Sequence, residues 1–151
     1  MRYIPAMIDV DLVRSTSHVP VRVRFAETDA MGVVHHGSYP LYLELARVEW
    51  LRRRGMSYRE WAIQDLHLPV VELNVRYRAP SFFDDELLIA VTLGEVRTAS
   101  FRLDYQVLRD TTLIAEASTM LACVSTDRKL VRLTPETLAV LARGEVPPNP
   151  A

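Results

Sequence analysis

The sequence predicts an α+β domain: an antiparallel sheet of about five strands with one long helix on one of its faces. Three observations lead there. One extended helical stretch, residues 40–54, follows a first short strand. After Pro69 the spacing of apolar residues changes from 3.6 to 2 and stays there. The links between the later apolar runs are too short to hold crossover helices.

Residues 19–25 read as the first strand, with Val21, Val23 and Phe25 alternating against Arg22 and Arg24. The helix comes next. Pro40 suits a first turn, Ser38 or Tyr39 lies at the cap, and Gly55 sits where a C-terminal stop is expected. At 1.5 Å per residue the helix is roughly 22 Å long, enough to cross a small sheet. Leu41, Leu43, Leu45, Ala46, Val48, Trp50 and Leu51 spread around most of the cylinder, while Glu49 with Arg52 and Arg53 offers pairing on a wet side. A helix apolar on so many sides is expected to be embraced. Residues 57–64 add a short helix, with Ser57 and Glu60 as a capping box.

The period-2 runs cover residues 71–77, 87–93, 101–107 and 113–125. Their links, 79–85, 94–99 and 109–112, imply antiparallel neighbours. Residues 134–143 close the pattern with a helix that has Pro135 in its first turn, and Pro147, Pro148 and Pro150 mark a tail. The plan is an N-terminal extension over 1–18, one domain over 19–143, and a tail over 144–151. One helix cannot cover a five-stranded sheet and its edges, so association through an edge strand, at least as a dimer, is expected.

Composition narrows the function classes. With 151 residues, one domain buries roughly 68 to 70% of its unfolded surface. Eighteen basic and 19 acidic residues give a formal charge of -1, which offers nothing to a nucleic-acid partner. Only Lys129 among the basic residues is lysine, and arginine suits bidentate phosphate contacts. The single cysteine, Cys123, cannot form an internal disulfide and lies in an alternating apolar run, as a buried structural residue would. No stretch approaches ~18 consecutive apolar residues, so no membrane span and a soluble, cytoplasmic protein are expected. G-x-S-x-G, G-x-G-x-x-G, the P-loop pattern and H-E-x-x-H are all missing from the sequence. His35 and His36 have Asp29 and Glu44 as their nearest carboxylates, without zinc-site spacing, so no metal is expected.

Chemistry concentrates in residues 25–47, FAETDAMGVVHHGSYPLYLELAR. In a chain with five glycines, two of them, Gly32 and Gly37, bracket the adjacent histidines. Asp29 stands three residues before Gly32, and the segment runs into a helix start, whose unpaired N–H groups suit a developing oxyanion. The glycines would let backbone approach a ligand, and Asp29 could attack an acyl carbonyl or position a water that does. The plain alternative is that Asp29 caps a turn and the glycines make it.

The pattern Asp29, Gly32, Val33, Val34, His36, Tyr39, followed by LYLELARVEWLRRRG, resembles the 4-hydroxybenzoyl-CoA thioesterase family of hotdog-fold acyl-CoA thioesterases. LNVRYRAPSFFDDELLIAVTL, residues 73–93, is similar to the family's second and third strands, and the resemblance spans about residues 19–130. It implies an antiparallel sheet wrapped around one long central helix, dimers and often homotetramers, sites at subunit interfaces, no cofactor, and an acyl-CoA substrate. The catalytic carboxylate falls on Asp29, as nucleophile or general base. The backbone donor falls close to His36, whose side chain would orient water or the thioester. Gly32, Val34, His35 and Tyr39 fall on substrate-binding positions, with His35 replacing a commoner Tyr or Phe. Two other readings compete: a dehydratase or hydratase on acyl thioesters, for which the central helix offers Glu44 and Glu49, and an acyl-CoA-binding module without turnover. Arg53, Arg54, Arg76, Arg78 and Arg128 are candidates to grip CoA.

Overall fold

Side chains two apart on an extended chain share a face, and the apolar alternation builds one curtain of them. In the computed structural model, which describes residues 12–147, five strands pair antiparallel throughout. They are β1 (Ser17–Arg22), β2 (Val70–Tyr77), β3 (Glu86–Val96), β4 (Ser100–Arg109) and β5 (Thr112–Ala122), in the spatial order β1-β3-β4-β5-β2. The inner face carries Val19 and Val21, then Leu87, Ile89, Val91 and Leu93, then Phe101, Leu103, Tyr105 and Val107, all buried. After a single helical turn, α1 (Leu12–Ser15), at the start of the described chain, comes the long helix α2 (Tyr39–Arg53), which lays Leu43, Ala46, Trp50 and Leu51 on that face.

Among the element boundaries that differ from the sequence reading, three have a clear local reason. β1 starts at Ser17 because Ser17 and His18 already pair with Val91 and Ala90, and it stops at Arg22. Phe25 opens a 3-10 turn instead of continuing the strand, because the Glu27 carboxylate takes the Arg24 N–H at 2.7 Å. β5 stops at Ala122, where Cys123 turns away to pair with Ala99 and Val131.

The link between β2 and β3 is a correction of topology. These strands are not neighbours; β5 and β4 stand between them. A link of about eight residues can reach roughly 26 Å when extended, against about 14 Å for three strand spacings, so it crosses without a helix. Three antiparallel steps still leave β2 and β3 running in opposite directions, so chain direction does not reveal the crossing.

The end of α2 is anchored by Arg54, a fully buried guanidinium. It stacks 3.8 Å over the Trp50 ring and donates to the carbonyls of Trp50 (3.0 Å) and Ser15 (2.7 Å) and to Ser17 Oγ (2.8 Å). Trp50 Nε1 also donates to Ser15 O at 2.7 Å. Burial pulls the Arg54 pKa down to about 10. Gly55, at φ +82°, then ends the helix as expected. The Ser57–Glu60 capping box starts α3 (Tyr58–Ile63), and Thr134 caps α4 (Pro135–Ala142). Cys123 is buried, which pushes its thiol up to about 12. No helix among the described residues is long and apolar enough to cross a membrane.

The sheet covers one side of α2. Leu41 and Leu45 remain 57% and 50% exposed, and along edge strand β2 so do Val71 (61%) and Leu73 (44%).

Arg54→Ala removes the side-chain donor from the Trp50 carbonyl, one of the two donors from the Ser15 carbonyl, and the plate over Trp50. We expect a loss of about 2–4 kcal/mol in urea denaturation. An unchanged midpoint would mean that this clamp contributes nothing.

Candidate active site

Glu27 sits where β1 gives way to α2, 7% exposed. Its carboxylate accepts from the Arg24 amide, the Arg24 guanidinium and the Tyr42 hydroxyl (3.0 Å), and its carbonyl accepts from the His35 amide (2.8 Å) and Ser38 Oγ (3.1 Å). Burial alone would raise this carboxyl, but the Arg24 amide, the Arg24 guanidinium and the Tyr42 hydroxyl hold it below its ordinary 4.5.

Beyond Glu27 the chain folds into a small hairpin, with Thr28 bridged to Val34 and the Asp29 amide bonded to Val33 O at 2.9 Å. Asp29 Oδ1 accepts from the amides of Met31 (2.8 Å) and Val33 (3.4 Å), a carboxylate closing its own turn. Its Oδ2 has no partner among the described residues. Gly32 holds φ +79° with open space where a Cβ would stand, so the left-handed backbone alone selects glycine there. Gly37 answers to crowding instead: a Cβ would lie 3.1 Å from His35 Nδ1.

That closeness has a cause. His35 Nδ1 accepts from the Gly37 amide at 2.9 Å, so the imidazole caps the 3-10 turn His36–Ser38, and its proton belongs on Nε2. The His36 ring stacks on His35 with centroids 4.1 Å apart, and both are exposed. The His36 carbonyl accepts from Tyr77 OH at 2.8 Å, while its amide has no acceptor among the described residues.

The structure thus gathers Gly32, His35, His36 and Gly37, all exposed, and half-buried Asp29 on one ribbon. Val34 and Tyr39 lie beneath it, with their side chains facing the core at 6% and 3% exposure. The Val34 amide bonds Ser81 O (2.8 Å) and Tyr39 OH meets Ser81 Oγ (2.7 Å). Burial, opposed by the Ser81 bond, raises the Tyr39 pKa. Sequence reasoning assigned no role to Glu27, to Ser81 and Tyr77, or to the exposed rings of Phe25, Phe82 and Phe83 beside the ribbon. The Arg24–Glu27 spacing and the doubled Phe after Pro80 were the available signals.

Of the arginines considered for CoA, Arg54 is buried. Arg53 is engaged by Glu49, Glu145 and His18 O, and Arg78 pairs with Glu116 at 2.8 Å. Arg76 and Arg128 have no ion-pair partner among the described residues. Glu49 is occupied by Arg52 and Arg53, whereas Glu44 is exposed. No group of three or more His, Cys, Asp and Glu side chains placed to hold a metal occurs among the described residues.

Residues 23–141 match the family model described as the thioesterase-like superfamily. The chain belongs to this superfamily. Its sheet and long helix are the hotdog fold. A putative esterase of Aquifex aeolicus is 38% identical over 122 residues, covering 80% of this chain and 93% of its own. The acyl-CoA thioester hydrolase YbgC of Escherichia coli is 32% identical over 120 residues, covering 79% and 90%. Among solved structures, the DHNA-CoA thioesterase of Staphylococcus aureus matches with a TM-score of 0.79 at 28% identity, over 83% of this chain and 87% of that one.

Two measurements test the ribbon's architecture. A group whose folded pKa is lowered contributes stability that is present above its unfolded value and is lost as pH falls through the folded one. Glu27 should therefore stabilise the protein fully above about pH 4.5 and progressively less below it. Glu27→Gln should cost about 1–3 kcal/mol at neutral pH and flatten that acid limb; an identical pH–stability curve would remove Glu27 from its place at the joint. His35→Leu should lower thermal stability by about 1 kcal/mol through loss of the cap, and His35→Asn should restore most of it, because a short side-chain oxygen can accept from the amide two residues on. Equal melting points for the two variants would contradict a capping role.

Proposed function

We propose that this protein hydrolyses the thioester of an acyl-CoA to the free acid and CoA. The observation that carries the reading is the pair of uncommitted groups on the ribbon, Asp29 Oδ2 and the His36 amide, in a member of the thioesterase-like superfamily. YbgC and the Staphylococcus enzyme, both named for thioester hydrolysis on CoA, support the substrate class.

Asp29 acts in one of two ways. As a nucleophile, Oδ2 adds to the thioester carbonyl carbon, the C–S bond breaks, CoA leaves as thiolate, and water cleaves the resulting mixed anhydride. As a general base, Asp29 takes a proton from water while the water oxygen adds to the carbonyl carbon; collapse of the tetrahedral intermediate breaks the C–S bond, and the proton passes to the departing sulfur. Each route consumes one water. The His36 amide receives the carbonyl oxygen as it gains charge, reinforced by the positive end of α2, and the His36 imidazole orients water or the thioester. Gly32 and His35 form the outer wall for substrate; Val34 and Tyr39 support that wall from beneath.

Arg76 and Arg128 are the arginines left to meet CoA phosphates. The active unit is the domain over 19–143, between an extension over 1–18 and a tail over 144–151, working in the cytoplasm as a homodimer or homotetramer. Exposed Leu41 and Leu45 on α2 and the apolar edge of β2 support association.

Asp29→Asn keeps the size and the turn but removes the charge needed by either route. We expect kcat on acyl-CoAs, followed as free thiol, to fall by about 10² to 10⁴ with the melting temperature little changed. His36→Ala should cost less, since the amide donor outlasts the side chain. Full activity in Asp29→Asn would place the chemistry elsewhere.

A further inference from the structure

Arg47 is a second buried cation of α2, 7% exposed, and it differs from Arg54 in its surroundings. Its Nε is buried without a hydrogen-bond partner, as is that of Arg54; but whereas the terminal nitrogens of Arg54 donate to two carbonyls and to Ser17 Oγ, Arg47 has no carbonyl or carboxylate partner among the described residues. A guanidinium removed from water and left without an anion is strongly unfavourable, so this position is built for a charge that comes from outside these residues.

Its placement says where that charge would arrive. At 100° per residue, Tyr42 and Arg53 lie on the α2 flank that reaches Glu27 and His18 of β1, and Arg47 lies on the other flank. There it acts on the hydroxyl of Tyr105 in β4, which meets Thr119 Oγ1 of β5 at 2.7 Å. Thr119 is paired with Leu73 of β2, so Leu73 rises on the same face, and it is 44% exposed. Four residues further on, on that face again, Tyr77 is 50% exposed and donates to the His36 carbonyl. A strip of inner sheet surface therefore runs from His36 and Tyr77 past Val75 to Leu73 and Thr119, with Arg47 at its far end. Along the strand it measures about 13 Å; along the helix, from Tyr39 to Arg47, about 12 Å.

We propose that Arg47 binds the far end of the acyl group, and that the preferred substrates are acyl-CoAs whose acyl chain ends in a second carboxylate. This rests on the thioester-hydrolase reading, which puts the reacting carbonyl at Asp29 and His36 and so sends the acyl chain along the strip. A carboxylate there takes the planar fork of Arg47, with one further donor from the Tyr105–Thr119 hydroxyl pair, whose other proton is spent on their mutual bond. The apolar Leu73 and Val75 pack the intervening methylenes.

The test compares adipyl-CoA with hexanoyl-CoA and suberyl-CoA with octanoyl-CoA, following free thiol. In at least one pair, kcat/KM should favour the dicarboxylic substrate by about tenfold or more; Arg47→Met should erase or reverse that ratio, and Arg47→Lys should keep part of it. A wild-type ratio near one, or a ratio that Arg47→Met leaves unchanged, overturns the proposal. An Arg47→Met protein that loses its oligomeric state in sedimentation but keeps the ratio also overturns it, and assigns the missing anion to a second copy of the chain. If no acyl-CoA is cleaved, the hydrolase reading fails, but calorimetric titration with the same four compounds still decides the anion site. Tighter binding of the dicarboxylic member, by about tenfold and lost in Arg47→Met, supports it, and equal binding refutes it. Should Arg47→Met fail to fold, Arg47→Lys and the wild-type ratios give the same decision.

Discussion

The Glu27 carboxylate is the constraint on which the site depends. It is buried, which disfavours its charge, yet it stays ionised because an amide, a guanidinium and a phenol all donate to it. The donors come from both sides of the site: Arg24 from the end of the first strand, Tyr42 from the first turns of the long helix. The same residue's carbonyl receives His35 and Ser38 from the returning limb. Four groups separated in sequence therefore converge on one side chain and its backbone, and the hairpin carrying Asp29 is the segment left between them. The Arg24 guanidinium is mostly in water, so the ion pair itself is weak; the buried amide and phenol bonds carry most of the constraint.

The two buried arginines divide the long helix by function. Arg54 closes its C-terminal end with every nearby carbonyl engaged, and that end locks the N-terminal segment to the core. Arg47, two turns earlier and on the flank toward β2, meets the Tyr105 hydroxyl and no carbonyl or carboxylate among the described residues. The terminal nitrogens of Arg54 are fixed by carbonyls, which gives that end rigidity, although its Nε, like that of Arg47, is left without a partner. Exposed Val71 and Leu73 lie on β2, the side of Arg47, whereas exposed Leu41 and Leu45 lie on the β1 side of α2, beside Val19, Pro20 and Arg53.

Much of the fold was legible because it rests on period. Two-residue alternation identified the four later strands, and the Ser57 box and the Pro135 turn located two helices, since these depend on residues within one turn of each other. What the sequence hid was long-range. Strand order across the 78–85 link could not be read, because an antiparallel direction follows equally from one step or from three. The end of β1 was misplaced because Glu27 overrides the alternation of Phe25. At the site, Asp29 and the histidines stood out by composition. Val34 and Tyr39 follow the same local pattern as exposed residues, and only the docking of Ser81, some forty residues away, shows that they turn inward.

That difference also explains the glycines around the two histidines. Gly32 answers to a backbone angle and Gly37 to the ring of His35, so neither is explained by room for a ligand, and both belong to the machinery that holds the ribbon still. The same holds for most polar groups nearby: Asp29 Oδ1 closes the turn, His35 Nδ1 caps the next one, the His36 carbonyl takes Tyr77, and Ser38 bonds Glu27 instead of capping its own helix. In a segment so fully occupied, an unpaired carboxylate oxygen and an unpaired amide are conspicuous. A structure that needed Asp29 only as a turn former would use it as it already does through Oδ1. The second oxygen, facing no partner among the described residues next to a helix start that favours negative charge, is what the turn does not require.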